Sequence, residues 1–217
     1  ITAGHSDLAT EQDGIDFLKS RNCDALILHV EAVSDDYLQA LAAEETPFVL
    51  LNRHIPAIAE RCISLNNELG GYLATRHLLE QGHRQIAYIA GPMWKTDARD
   101  RYHGHQRALA EYQLTADPAL FFEGDFRETG GSKGLESLLK TGKAFSALVC
   151  ANDEMASGAI TAARELGLNI PQQLSVMGYD NVNFAYYTYP KLSTIDYPIS
   201  AMGQMAARWV LREVYQQ

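Results

Sequence analysis

The chain alternates short apolar runs with longer segments of helical periodicity, and this alternation constrains the fold more than any other feature. Apolar runs of strand length recur at Ala25–His29, Phe48–Leu51, Cys62–Leu65, Ile86–Ala90, Ala119–Glu123, Ala147–Cys150, Ser175–Gly178 and Ser193–Ile195. Segments with helical spacing lie between and after them at Leu8–Ser20, Asp35–Ala43, Leu69–Glu80, Arg99–Tyr112, Gly131–Lys140, Glu154–Leu166 and Ser200–Val214. This order predicts an α/β fold in which helices cover both faces of parallel strands, in one sheet or in two.

The charge balance excludes two classes of partner for these residues alone. The 217 residues include 18 Lys and Arg against 27 Asp and Glu, a formal net charge of −9, and no basic block. Binding to nucleic acid or to an anionic membrane requires clustered basic residues, so neither is expected of this region. The apolar runs are also far shorter than the about 18 residues of a transmembrane helix.

The chain also lacks the patterns of common cofactor and metal sites. Cys23, Cys62 and Cys150 are too few and too widely spaced for a disulfide framework or a zinc site, which favours reduced thiols in a cytoplasm. No dinucleotide-binding glycine fingerprint follows a strand, and no nucleophile elbow is present. We therefore predict no enzyme activity, no metal and no cofactor.

Polar and aromatic residues instead follow the predicted strands. Asn52 and Arg53 follow Phe48–Leu51, Asn152 follows Ala147–Cys150, Asp180 follows Ser175–Gly178, and Phe126 follows the run that ends at Glu123. Ligands of open parallel sheets bind beyond the carboxyl ends of the strands. Amide and carboxylate groups suit pairs of sugar hydroxyls, and an aromatic ring suits the apolar face of a pyranose. Each residue also has a simpler interpretation: Asn152 as a helix cap, Asp180 as a turn residue and Phe126 as part of the core.

Four blocks spread over the chain resemble the lactose/galactose repressor family of transcriptional regulators. They are Ala74–Pro92, Cys150–Ala159, Leu174–Asn181 and Pro190–Pro198. Within the family the chain is most similar to galactose repressors, through Leu51–Arg53, Arg61–Ile63, Ala74–Leu78, Asp97–Arg101 and Tyr197–Ile199.

The resemblance implies a periplasmic-binding-protein-like fold of two α/β lobes, each with a doubly wound parallel sheet, joined by three crossovers. Residues 1–91 and 197–217 are then expected to form the N-terminal lobe, and residues 92–196 the C-terminal lobe. It also implies a DNA-binding headpiece that lies outside the printed residues, so operator DNA is expected to be bound only through that part.

The resemblance further implies an effector site in the cleft between the lobes. The residues that match effector contacts of the family are Arg101, Phe126, Asn152 and Asp180, with Lys95 and Asp97 in a loop that contacts ligand in some members. Without the resemblance, Arg101 could equally be a solvated helix residue. Leu69 departs from the acidic residue of lactose repressors, so one sugar contact of that subfamily is expected to be missing or moved.

The predicted function is effector binding and dimerisation in a cytoplasmic transcriptional regulator, with a monosaccharide, galactose among the candidates, controlling DNA binding. Phe184–Tyr189, rich in aromatic residues, is a candidate contact of the homodimer, or part of the core. The alternative is a periplasmic sugar-binding protein of a transport system, which shares the fold and the ring of polar residues.

Overall fold

The computed structural model describes residues 1–216, which form seven α-helices, eight β-strands and three short 3₁₀ segments. The helices are α1 Leu8–Ser20, α2 Asp35–Ala42, α3 Asn67–Glu80, α4 Thr96–Glu111, α5 Glu128–Lys140, α6 Asp153–Glu165 and α7 Ile199–Tyr215. The strands are β1 Leu26–Leu28, β2 Phe48–Leu51, β3 Cys62–Ile63, β4 Ile86–Ala90, β5 Phe121–Glu123, β6 Ala147–Cys150, β7 Ser175–Asp180 and β8 Ser193–Asp196. The 3₁₀ segments are Pro56–Arg61, Pro118–Leu120 and Asn183–Tyr186.

The chain divides into two compact units. The first comprises Ile1–Leu65 and the C-terminal segment that begins at Pro198, and the second comprises Asn66–Tyr197. Each unit contains one sheet, with strand orders β1-β2-β3 and β5-β4-β6-β7-β8, and every strand pair is parallel. The predicted α/β class with two parallel sheets is confirmed. No helix among residues 1–216 combines the length and apolar character needed to cross a membrane.

The first unit is built on β2, the central strand of its sheet. Phe48, Val49 and Leu50 are all fully buried, as expected of a strand covered on both faces. Helix α7 returns to this unit, where the Trp209 indole N–H donates to the carbonyl of Glu60 at 3.0 Å.

A buried carboxylate fixes the loop after β1. Glu11, in the first turn of α1, is 4% exposed and accepts hydrogen bonds from three consecutive backbone N–H groups. The donors are Glu31 at 2.9 Å, Ala32 at 2.8 Å and Val33 at 2.9 Å. Three donors to one carboxylate compensate for its burial and hold the chain between β1 and α2.

The second unit places its two most apolar strands at the centre of the sheet. Every residue of β4 and of β6 is buried, and the two strands pair from Ile86 with Ala147 to Ile89 with Cys150. The predicted bounds of both strands agree with the structure. The predicted strand Ala119–Glu123 is shorter, because Pro118 begins a 3₁₀ turn capped by the Asp117 side chain.

Helices α3 and α4 of this unit pack at very short distance. A Cβ atom added to Gly71 would lie 1.9 Å from the backbone oxygen of Arg101, so only glycine permits this approach. The contact fixes the position of Arg101 relative to α3, and Arg101 is one of the predicted site residues.

The predicted lobe boundary after residue 91 differs from the observed division, which falls between Leu65 and Asn66. The reason is that β4 is an inner strand of the second sheet and α3 packs on α4, so both elements group with the residues that follow them. The return boundary, expected between residues 196 and 197, lies between Tyr197 and Pro198. The chain passes between the units twice within the described residues, where the resemblance implied three crossovers.

We expect Glu11→Gln to destabilise the first unit. The amide keeps only one acceptor oxygen, so at least one of these three buried or half-buried N–H groups loses the acceptor on residue 11, at a cost of about 1–3 kcal/mol in free energy of unfolding. Urea denaturation followed by circular dichroism measures this change. The exposed Glu45→Gln serves as the control, and a Glu11→Gln variant as stable as that control would show that the three hydrogen bonds contribute nothing.

Candidate functional site

The predicted site residues of the second unit lie at the carboxyl edge of its sheet. Asn152 comes two residues after β6, and Asp180 is the last residue of β7. Phe126 lies in the loop between β5 and α5, while Arg101 reaches this edge from α4. Since parallel strands end at one edge, residues that are far apart in sequence meet there.

Arg101 is the buried centre of this cluster. Its side chain is 4% exposed, and its guanidinium donates from Nη1 to the carbonyl oxygen of Ala151 at 2.6 Å. Its Nε donates to Oδ1 of Asn67 at 3.0 Å. An arginine cannot lose its proton in a protein, so a buried guanidinium has to be compensated by acceptors and negative charge.

Two carboxylates supply that negative charge. Oδ1 of Asp180 lies 3.6 Å from Nη1 of Arg101, and Oδ2 of Asp97 lies 4.0 Å from Nη2. These distances define ion pairs but exceed those of hydrogen bonds. Both carboxylates and the guanidinium therefore retain hydrogen-bonding capacity.

Burial raises the pKa of Asp180 from its ordinary value of 3.8 to about 7, although the nearby Arg101 lowers it. Asp153, which is fully buried, raises the pKa of Asp180 further. The backbone of Asp180 is also unusual, since its φ of 110° lies in a region that non-glycine residues rarely occupy. A strained, ionisable residue at a strand end is a recurrent property of binding sites.

Phe126 lies beside the charged cluster and is half-buried. The centre of its ring is 5.9 Å from the Arg101 guanidinium carbon and 5.6 Å from Nζ of Lys95. Its backbone adopts a φ of 64°, and its carbonyl accepts a hydrogen bond from Nδ2 of Asn152 at 2.9 Å. The structure thus brings Lys95, Phe126 and Arg101 together.

Asn152 is the N-cap of α6. Its Oδ1 accepts from the backbone N–H of Met155 at 2.9 Å, while its Nδ2 holds the Phe126 carbonyl. The capping interpretation of Asn152 is therefore confirmed, and its predicted contact with an effector stays a prediction. Asp97 similarly accepts from the N–H of Ala98 at 2.8 Å, in the first turn of α4.

Three residues of this cluster were not predicted from the sequence. Asn67 bonds Arg101, and the ring of Tyr179 stacks on the Arg101 guanidinium with 3.8 Å between guanidinium carbon and ring centre. The backbone N–H of Tyr197 donates to the carbonyl of Asp180 at 3.2 Å. The sequence analysis singled out only Asp180 after the run Ser175–Gly178, and the adjacent Tyr179 was the signal that could have extended the predicted site.

Asn52 and Arg53, which follow β2, belong to the first unit instead. Arg53 donates to the carbonyl of Val33 at 2.7 Å and pairs with Asp35 at 2.5 Å. Its guanidinium therefore ties together two segments of the first unit. Among residues 1–216, no cluster of three or more potential metal ligands is present.

Known proteins are similar to this chain over most of its length. The family described as "Periplasmic binding protein-like domain" matches residues 75–217. The HTH-type transcriptional regulator GalR of Salmonella typhimurium is 37% identical over 211 residues, which cover 97% of this chain and 62% of that relative. The chain thus spans less than two thirds of this relative's length.

Two solved structures are similar over nearly the whole chain. A sugar-binding transcriptional regulator of the LacI family from Escherichia coli, complexed with phosphate, has a TM-score of 0.90 at 30% identity, covering 95% of this chain and 74% of the other. A LacI family transcriptional regulator from Enterococcus faecium with bound ribose has a TM-score of 0.82 at 30% identity, covering 94% and 76%.

The pKa of Asp180 yields a direct prediction. In the folded chain Asp180 binds its proton more tightly than in the unfolded chain. Protonation of Asp180 therefore contributes its whole stabilising free energy below about pH 4, and this contribution is lost as the pH rises through about 7. We expect one aspartate carboxyl carbon to titrate near pH 7 in a ¹³C NMR titration, and its signal to be missing from Asp180→Asn.

The exposed Glu136→Gln serves as the control and should leave that signal in place. Titration of every aspartate below pH 5 would show that Arg101 outweighs the desolvation of Asp180.

Proposed function

Because this chain belongs to the lactose/galactose repressor family of transcriptional regulators, we propose that its second unit binds a small neutral sugar that controls DNA binding by the longer protein. The observation that carries this proposal is the buried Arg101, with two carboxylates and a half-buried phenylalanine beside it at the carboxyl edge of the sheet.

The chemistry of the cluster matches a polyhydroxylated ligand. Sugar hydroxyls donate to carboxylates such as Asp97 and Asp180, and they accept from guanidinium N–H groups. The ring of Phe126 is suited to the apolar C–H face of a pyranose. Two carboxylates around one guanidinium leave no excess positive charge among these three groups, which favours a neutral ligand over an anionic one.

The relatives support a sugar as the ligand class. The E. coli structure is described as sugar-binding, and the E. faecium structure contains ribose. Galactose is our first candidate, since the regulator GalR of Salmonella typhimurium is among the similar proteins. The apolar Leu69, where lactose repressors are expected to carry an acid, favours a ligand different from theirs.

The proposed mechanism is a coupling free energy between the sugar site and the DNA-binding part. A sugar changes DNA affinity only if it binds one conformation of the regulator more tightly than the other. The chain itself is proposed to act without catalysis and in the cytoplasm. Since the relatives are named as transcriptional regulators, regulation is favoured over transport.

We further propose that the chain forms a homodimer through Phe184–Tyr189. Phe184, Tyr186, Tyr187 and Tyr189 are all exposed, and the last two are 84% and 83% exposed. Aromatic residues are enriched in interfaces, whereas the core alternative requires their burial. Only Ala185 of this segment is fully buried.

The sugar proposal predicts that Arg101→Ala weakens binding of D-galactose by about 1.5–3 kcal/mol, as expected for hydrogen bonds to a charged group. Isothermal titration calorimetry of the full chain measures this loss. Arg107→Ala is the matched control, because Arg107 lies on the same helix but pairs with Glu68 on the surface.

Unchanged affinity in a folded Arg101→Ala variant would remove Arg101 from the site. Binding of D-ribose or D-glucose in place of D-galactose would keep the ligand class and change the sugar. Failure of D-galactose, D-ribose and D-glucose all to bind would contradict the proposed function.

The dimer proposal predicts that Tyr187→Asp weakens self-association by about tenfold or more, since a charge would be buried without a partner. Sedimentation velocity over a concentration series measures the dissociation constant. Leu166→Asp, which changes an exposed apolar residue of the same unit outside this segment, is the control. Equal dissociation constants for the two variants would exclude Phe184–Tyr189 from the interface.

A further inference from the structure

The guanidinium of Arg101 is held by two side chains to which the sequence analysis gave no role. Oδ1 of Asn67 accepts from Nε of Arg101 at 3.0 Å, and the ring of Tyr179 lies against the guanidinium at 3.8 Å. Asn67 is the first residue of α3, Arg101 lies in α4, and Tyr179 is in β7. Side chains from α3 and β7 therefore fix the orientation of a charged group that belongs to α4.

These three side chains also form a closed set of contacts. The hydroxyl of Tyr179 donates to the same Oδ1 of Asn67 at 3.4 Å, so one amide oxygen serves both the guanidinium and the phenol. Asn67 is 6% exposed and Tyr179 3% exposed. Burial leaves water little access to replace either contact.

The backbone of α3 is shaped to admit this arrangement. A Cβ atom at Gly70 would lie 2.3 Å from the Tyr179 hydroxyl oxygen, so any larger residue there would displace the ring. The Tyr179 ring therefore occupies the space that a side chain at Gly70 would fill. Gly70 lies three residues after Asn67 on α3, and Asn67 accepts the hydrogen bond of the Tyr179 hydroxyl.

We propose that Asn67 and Tyr179 are positioning residues that hold the Arg101 guanidinium in the orientation in which it binds the sugar. This inference rests on the proposed function, because it concerns how Arg101 meets its ligand. Asn67 bonds Nε and Tyr179 covers one face of the guanidinium. The Nη2 group, 4.0 Å from Asp97, keeps donors for a ligand.

The physical advantage is preorganisation. A free arginine side chain loses rotamer entropy when a ligand orders it, and binding weakens by that amount. Stacking on an aromatic ring and a bond at Nε fix the plane of the fork before the ligand arrives. Neither side chain needs to contact the sugar for its loss to weaken binding.

The experiment is a double-mutant cycle on the full chain. Calorimetry measures binding of D-galactose, D-ribose or D-glucose, whichever of the three binds the unmodified chain most tightly. We expect Tyr179→Leu and Asn67→Ala each to weaken binding about 5- to 20-fold. Tyr179→Phe keeps the ring and should stay within about threefold of the unmodified chain. In an Arg101→Lys background, where the planar fork is gone, Tyr179→Leu should add less than about a twofold further loss.

Tyr72→Leu is the matched control. Tyr72 also stacks on an arginine of α4, with 4.5 Å between its ring centre and the Arg107 guanidinium carbon, and it also projects from α3. It does not belong to the set around Arg101. Its loss should leave sugar affinity unchanged, which separates positioning of Arg101 from general loosening of the two helices.

Several outcomes would overturn the proposal. Equal losses from Tyr179→Leu in the unmodified and Arg101→Lys backgrounds would show that Tyr179 acts independently of Arg101. Full affinity in Tyr179→Leu and Asn67→Ala, with weak binding in Arg101→Ala, would refute positioning and leave the proposed function standing. Unchanged affinity in Arg101→Ala would instead refute the site itself. If Tyr179→Leu does not fold, Asn67→Ala tests the same restraint from α3.

Discussion

The burial of a permanent positive charge at Arg101 is the constraint around which the second unit is organised. The guanidinium cannot become neutral, so acceptors must surround it within a largely apolar sheet-and-helix layer. A backbone carbonyl after β6, an amide at the start of α3 and carboxylates at β7 and in α4 supply them. The absence of a side chain at Gly71 lets α3 approach the backbone of Arg101 closely enough for this set to assemble.

Opposing electrostatic effects meet at the same edge of the sheet. Removal from water disfavours the ionised form of Asp180, while Arg101 favours it, and the first effect is larger. A ligand that donates hydroxyl hydrogen bonds would favour the ionised carboxylate and so act against that desolvation. The distances of 3.6 and 4.0 Å from Arg101 to Asp180 and Asp97 leave these groups able to accept or donate further hydrogen bonds, and this geometry supports assigning a ligand to the cluster.

The sequence was most informative where the signal is local. Continuous apolar runs predicted β4 and β6 to the residue, because strands buried on both faces carry no polar alternation. The positions of Asp180 and Asn152 at the carboxyl edge were predictable, because residues after parallel strands gather at one edge of the sheet. The cap formed by Asn152 was also predictable, from its position before α6.

Nonlocal contacts explain what the sequence did not predict. Asn67 lies 34 residues before Arg101 and 112 residues before Tyr179 in the sequence. Nothing local distinguishes Asn67 from an ordinary helix start, or Tyr179 from an ordinary residue of a core strand. The lobe boundary expected after residue 91 differs from the observed division, because β4 belongs to the second sheet through its pairing with β5 and β6. Sheet membership depends on partners that periodicity cannot identify.

The most direct test of the account is to locate the bound sugar by NMR. In ¹⁵N spectra of the full chain, saturation with the sugar that binds most tightly should shift the Nε–H resonance of Arg101 and the backbone amides of Asn152 and Asp180. Comparable shifts should be absent at Arg107, on the surface of the same helix. Large shifts confined to residues away from the carboxyl edge of this sheet, with Arg101 unaffected, would contradict the central claim.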